Sequence, residues 1–124
     1  MPVTWQIVHA DRVVTARGEG TIVLQDVERY LDAVVVADAL PYSKIFDLGL
    51  GSCTLTDTDM LVLGARIRAY PALARFGPLA IVAASDTQHQ QAQMFAALAE
   101  VERPLQIFRA EESARKWLAE TDRA

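Results

Sequence analysis

The sequence predicts an α/β fold: a mixed five-stranded sheet that starts with an antiparallel hairpin and carries four helices, in the order ββαβαβαβα. Two β-prone segments, residues 3–7 and 13–15, are separated only by a short turn, and so short a connection favours an antiparallel pair. After them, apolar strands alternate with helical patterns, which favours parallel strands joined by right-handed crossovers. With 124 residues, the chain is expected to form a single domain, 1–124.

The first two helical segments each have one apolar face. In residues 24–39, apolar side chains recur at intervals of three and four residues, which predicts the first helix, with Asp26 in its opening turn and Pro41 closing it. A short buried strand is expected at residues 44–48. The second helix should begin near Thr56 and end near Pro71, and one of its faces would carry Met60, Leu63, Ile67 and Tyr70.

The second half of the chain repeats this alternation. Residues 79–83 form a continuous apolar run, as expected for a central strand that is covered on both faces. Ser85 and Gln88 have the spacing of a capping box and predict the start of a third helix. A last strand is expected at residues 105–108, followed by a helix that opens at Glu111 and whose buried side would hold Ala114, Trp117 and Leu118.

Composition argues against several classes of function. The formal net charge of −4, without any long basic run, makes nucleic acid a poor partner. Cys53 is the only cysteine, so a disulfide framework and a thiolate zinc site are excluded, and a reducing, cytoplasmic setting fits best. The N-terminus does not resemble a signal peptide, and the apolar runs are too short to span a membrane.

Polar side chains follow the predicted parallel strands, where ligands and partners usually meet an open α/β sheet. These residues should gather at one sheet edge near Arg109: Asp47, Ser52, Thr56, Asp57, Thr58, Asp59, Ser85 and Asp86. Hydroxyl and amide groups at a helix start can hold an anion or receive a phosphoryl group. The same residue types also cap helices, as Thr56 and Asp59 would do, so a contact surface and a purely structural role are both open.

Catalytic, cofactor and metal chemistry have little support in these residues. Gly49 and Gly51 are a fragment of a dinucleotide fingerprint that lacks its further glycine. Asp57, Asp59 and Asp86 would have to converge before they could bind Mg²⁺. Cys53 has no histidine at a spacing that ensures hydrogen-bond reach. We therefore expect a protein without a metal or cofactor that is not an enzyme.

The element order and three segments resemble the STAS domain, the fold of bacterial anti-sigma factor antagonists, and in particular its SpoIIAA-like branch of uncharacterised small bacterial proteins. The segments are residues 45–55, residues 56–61 and the ending 107–118. The resemblance covers nearly the whole chain. It implies a regulatory or protein-interaction domain, and the apolar second helix adds the hypothesis of a homodimer.

In the antagonists, the second helix opens with an Asp-Ser-Ser-Gly-Leu type motif whose second serine is phosphorylated by a partner kinase. The corresponding run in this sequence is Asp57-Thr58-Asp59-Met60-Leu61. Asp59 therefore stands in the acceptor position, and Met60 replaces the glycine. The resemblance thus implies a domain without the usual serine switch, in which Thr56 or Thr58 is the remaining candidate for modification.

The SpoIIAA-like branch is also similar to lipid-binding Sec14-type domains, which implies an alternative function: holding a small apolar ligand between helix and sheet. The residues that would line such a pocket are Met60, Leu61, Leu63, Ile67, Met94 and Phe95. Residues at such helical spacing also form ordinary cores. A protein-interaction domain is the first prediction, and apolar-ligand binding is the alternative.

Overall fold

Five strands form the central mixed sheet of the computed structural model, which describes residues 2–122 and, for Asp122, the backbone alone. The strands are β1 (Val3–Val8), β2 (Val13–Gly18), β4 (Ser43–Asp47), β6 (Leu79–Val82) and β7 (Leu105–Phe108), in the spatial order β1-β2-β4-β6-β7. β1 and β2 pair as an antiparallel hairpin, and each of the other neighbouring pairs is parallel. The predicted fold class is confirmed.

Four helices cover the two faces of this sheet unequally. They are α1 (Leu24–Val36), α2 (Asp57–Ala69), α3 (Asp86–Leu98) and α4 (Glu111–Asp122). Residues of α1, α2 and α3 pack with Phe46, Leu79 and Ile81 on one face, whereas α4 packs with Ile45 and Ala80 on the other. Successive residues of β4 and β6 therefore point to opposite layers, as strand geometry requires.

A second, two-stranded sheet was absent from the sequence prediction. β3 (Thr21–Ile22) pairs in parallel with β5 (Ser52–Cys53). Two-residue strands have no hydrophobic period of their own, so sequence pattern does not reveal them. This pair fixes the loop after β4 against the chain that precedes α1, and it thereby closes one end of the space beneath α2.

The first helix ends three residues earlier than the predicted Ala39. Asp38 has a φ of 55°, and the N–H groups of Asp38 and Ala39 donate to the carbonyl oxygens of Val35 and Val34. These bonds form a Schellman motif, in which aspartate occupies the left-handed position that glycine usually takes. The local motif ends the helix before Pro41 is reached.

The second and third helices approach each other closely at Gly64. A Cβ atom at this position would lie 2.5 Å from the carbonyl oxygen of Leu98. The side chain of Arg68 also donates to this oxygen. The absence of a side chain at Gly64 therefore permits the contact between α2 and α3, and these two helices together with α1 form the roof over the sheet.

Candidate functional site

The carboxyl ends of β4, β6 and β7 lie at one edge of the sheet. Asp47 is opposite Val82, which in turn is opposite Phe108. Asp47, Ser85 and Arg109 therefore emerge at the same edge, as expected from parallel pairing. Arg109 bonds across this edge, because its Nη1 lies 2.8 Å from Oδ1 of Asp86 and 3.3 Å from the carbonyl oxygen of Ala84.

Most of the polar residues at this edge hold the backbone of their own loops. Oδ1 of Asp47 accepts the N–H of Gly49 at 2.8 Å, and its Oδ2 lies 3.6 Å from Nη2 of Arg17. Oγ of Ser85 accepts the N–H of Gln88 at 3.1 Å, which completes the predicted capping box. Asp86 is exposed and pairs with Arg109.

Polar side chains at the start of α2 also bond the backbone of their own segment. Thr56 and Asp59 cap each other reciprocally: Oγ1 of Thr56 accepts the N–H of Asp59 at 3.1 Å, and Oδ2 of Asp59 accepts the N–H of Thr56 at 3.0 Å. Asp57, Thr58 and Ser52 are exposed to solvent. Of the predicted contact residues, these three present their side chains most freely.

Gln88 joins the edge loops into one unit. Its Nε2 donates to the carbonyl oxygens of Gly51 at 2.9 Å and Gly49 at 3.2 Å, while its Oε1 accepts the N–H groups of Ala84 and Ser85. The side chain is 9% exposed. All four bonds run to backbone groups, so Gln88 fixes the β4–β5 loop against the start of α3 and leaves little freedom for a ligand between them.

A cavity of about 100 Å³ lies between the sheet and the roof helices. Its walls come from β4 and β6 below and from α1, α2 and α3 above, and they are almost wholly apolar. The polar residues in the lining are Tyr30, Lys44, Cys53, Gln91 and Arg103. At about 24 cal/mol per Å³, a cavity of this volume costs about 2 kcal/mol relative to a core filled by side chains.

Four of the six residues expected to line a pocket do line this cavity: Met60, Leu63, Ile67 and Phe95. Leu61 and Met94 do not line it. Their exposed fractions are 55% and 41%, because they lie on the solvent sides of α2 and α3. Neighbouring positions of a helix differ in direction by about 100°, which separates Leu61 from Met60 and Met94 from Phe95.

Lys44 places an ionisable amine in this apolar space. It is 4% exposed, and its Nζ donates to the carbonyl oxygens of Leu40 and Tyr42. Burial, reinforced by the nearby Arg103 guanidinium, lowers the pKa of Lys44 to about 7. Lys44 alternates with Phe46 and Leu48, so its inward position follows from strand periodicity, a signal that lies within the strand and not at its end.

Arg103 and Tyr30 flank the same part of the cavity. Cζ of Arg103 lies 4.4 Å from the centroid of the Phe76 ring, and Nζ of Lys44 lies 5.5 Å from it. Among the described residues, the buried Nε of Arg103 and the buried hydroxyl of Tyr30 have no hydrogen-bond partner. Burial lowers the pKa of Arg103 to about 10 and raises the pKa of Tyr30. Sequence reasoning missed Arg103 as a site residue, since a loop residue has no periodicity to indicate its direction.

The sulfur of Cys53 is poorly placed for nucleophilic chemistry. Burial raises the pKa of this thiol, and the Asp59 carboxylate acts in the same direction. His9 is engaged elsewhere, with its Nδ1 2.7 Å from the hydroxyl of Tyr42. Among the side chains of residues 2–121, no cluster of three or more His, Cys, Asp or Glu has the arrangement of a metal site.

Together, the strand order and the one-sided roof of three helices define a small α/β fold of a known class. The structure is similar to the crystal structure of an uncharacterised protein of the DUF3478 family with a SpoIIAA-like fold, from Shewanella loihica PV-4. The TM-score is 0.62 and the sequence identity 16%, over 94% of this chain and 93% of that chain. The protein therefore has the SpoIIAA-like fold that its sequence suggested.

The sequence matches no protein-family model and no curated protein. In the part of the chain that the structure describes, no helix combines the length and the apolar character needed to cross a membrane. The likeness to the Shewanella protein defines the fold alone.

Proposed function

We propose that this protein is a non-enzymatic binding domain that holds a small apolar ligand in the cavity beneath α2. The observation that carries this proposal is the cavity of about 100 Å³, walled by apolar side chains of the sheet and three helices. Ligand pockets are typically concave and apolar, with a few polar groups that orient the ligand. Filling such a space with an apolar group restores the packing contacts that an unfilled cavity lacks.

Octanol is a suitable neutral probe for this function. Calorimetric titration and native mass spectrometry of the full chain should give one bound octanol per chain. Ala92 lines the cavity and is 4% exposed, so Ala92→Leu should narrow the cavity and reduce octanol binding severalfold. Ala97 is exposed on the same helix, and Ala97→Leu is the matched control that should bind as the wild type does. Equal octanol binding by both variants, or none by the wild type, would contradict the proposal.

A second function, protein interaction through α2, is supported by a different observation. Leu61 and Val62 are neighbours on the solvent side of α2, with exposed fractions of 55% and 47%. They lie within about one turn of the exposed Asp57 and Thr58. We infer that this surface, defined by Asp57, Thr58, Leu61 and Val62, contacts a second copy of the chain.

Sedimentation velocity tests the second function. The wild type should self-associate, and Leu61→Arg should shift it to monomers. Val36 is 85% exposed at the end of α1, so Val36→Arg is a control with the same change of charge. A wild type that stays monomeric up to millimolar concentration would exclude self-association through this surface. Asp59 is unsuitable for the test because its carboxylate caps α2.

A further inference from the structure

One part of the cavity lining brings together Lys44, Tyr30 and Arg103, whose hydrogen-bond donors are only partly used by the residues that the structure describes. The Lys44 ammonium has three N–H donors, of which the carbonyl oxygens of Leu40 and Tyr42 occupy two. The Arg103 Nε and the Tyr30 hydroxyl are buried and have no partner among the described residues. Buried donors are nearly always bonded in folded proteins, so these two unpartnered groups, together with the third N–H of a protonated Lys44, favour a partner from outside the chain.

Within the described part of the chain, the charges of Lys44 and Arg103 also lack a nearby opposite charge. Neither Lys44 nor Arg103 takes part in an ion pair with any carboxylate whose side chain the structure describes. The ring of Phe76 partly stabilises both cations through its face, but it carries no negative charge. A protonated Lys44 and Arg103 beside one apolar cavity, with no described carboxylate to balance them, are costly, and an anion that contacts both would remove much of that cost.

The geometry points to Lys44, Arg103 and Tyr30 as an anion-binding cluster, which holds the carboxylate of an otherwise apolar molecule whose chain occupies the cavity. A carboxylate has two oxygens with about four acceptor sites, enough for the three open donors. The remaining lining is apolar apart from Gln91, whose Nε2 already bonds the carbonyl oxygen of Cys53, and the Cys53 thiol. This inference rests on the ligand-binding function proposed above and adds the chemical class of the ligand.

Protonation supports the same assignment. The pKa of Lys44, lowered by burial, should rise when an anion binds, because the charged ammonium then gains a partner. The titratable groups that share the cavity lining with Lys44 are Tyr30 on α1, Cys53 on β5 and Arg103 in the α3–β7 connection, whereas α2 and α3 contribute none. At pH 8, binding of an anion should therefore be accompanied by proton uptake.

Three probes with the same eight-carbon chain test the inference: octanoate, octanol and octyl phosphate. The wild-type protein should bind octanoate roughly tenfold or more tightly than octanol, since hydrogen bonds to a charged group are the stronger class. Calorimetry at pH 8 in buffers of different ionisation enthalpy should register proton uptake with octanoate and none with octanol.

Substitutions in the anion-binding cluster test whether its residues cause the preference for octanoate. Lys44→Met and Arg103→Met should abolish the preference for octanoate. Tyr30→Phe should reduce this preference severalfold. Because the substitution removes a hydroxyl that has no partner among the described residues, the variant should fold normally. Lys116 and Arg29 are exposed, so Lys116→Met and Arg29→Met are matched controls that should keep the preference.

The possible outcomes separate this inference from the proposed function. Equal affinities for octanoate and octanol would overturn the anion-binding cluster and leave apolar-ligand binding intact. Tighter binding of octyl phosphate than of octanoate would overturn the carboxylate assignment. Binding of none of the three probes would overturn both proposals. Should Lys44→Met fail to fold, Arg103→Met and Tyr30→Phe decide the result.

Discussion

Replacing the buried Lys44 should change how the stability of the protein depends on pH. The pKa of Lys44 is about 7 in the folded protein, against an ordinary value of 10.5. Between these values the unfolded chain binds a proton that the folded protein does not, so the free energy of unfolding rises with pH. Below pH 7, Lys44 is protonated in both the folded and the unfolded state, so the free energy of unfolding no longer changes with pH through this group.

The size of the effect follows from the two pKa values. The slope approaches about 1.36 kcal/mol per pH unit once the pH exceeds 7, and integration from pH 6 to pH 8 gives a rise of about 1.4 kcal/mol. The raised pKa of Cys53 acts in the opposite direction, but only as the pH approaches its ordinary value of 9.0. The interval from pH 6 to pH 8 therefore isolates the contribution of Lys44 from that of this thiol.

Urea denaturation of the wild type and of Lys44→Met at pH 6, 7 and 8 measures this contribution. The difference in unfolding free energy between the two proteins should shift by about 1.4 kcal/mol over the series. Lys116→Met provides the control, since Lys116 is exposed on α4. The change of this difference with pH is more informative than its absolute value. The variant also removes the donor from the Tyr42 carbonyl, which lowers its stability at every pH. Parallel pH profiles for the wild type and Lys44→Met would refute the reasoning.

Two further substitutions test the elements that frame the cavity. Gln88→Ala removes four bonds to backbone groups and should lower the unfolding free energy by about 2–3 kcal/mol, whereas Gln90→Ala, on the exposed side of the same helix, should change it by less than about 0.5 kcal/mol. An equal effect of the two glutamine variants in urea denaturation would contradict the role of Gln88. Gly64→Ala should destabilise by about 1–3 kcal/mol in the same assay despite the higher helix propensity of alanine, because its Cβ would meet the Leu98 carbonyl at 2.5 Å. A more stable Gly64→Ala protein would show that α2 and α3 are not held in this close contact.

The main elements of the fold could be predicted from the sequence because their signals are local. The short turn after β1 required an antiparallel pair, and the spacing of Ser85 and Gln88 marked the start of α3. The end of α1 was predicted too late. Aspartate at position 38 takes a left-handed conformation there, which is a more common role for glycine. The β3–β5 pair joins two residues to two others far along the chain, and no periodic pattern encodes such a contact.

The cavity was only partly predictable, because its lining depends on tertiary contacts. Helical spacing correctly grouped Met60, Leu63 and Ile67, since all three share one face of α2. Met94 was also expected to line the pocket, but the structure places it toward solvent. Arg103 enters the cavity from a loop, and only the packing of that loop against Phe76 determines its direction.

A pH titration of the two lysines by NMR tests the central claim most directly. Lys44 and Lys116 are the only lysines in the sequence, so selective ¹³C labelling of lysine Cε gives two signals, which Lys44→Met assigns. We predict a pKa of about 7 for Lys44, rising on addition of octanoate and unchanged by octanol. A Lys44 pKa near 10.5, or a pKa that octanoate does not change, would contradict a buried lysine that meets a ligand in the cavity.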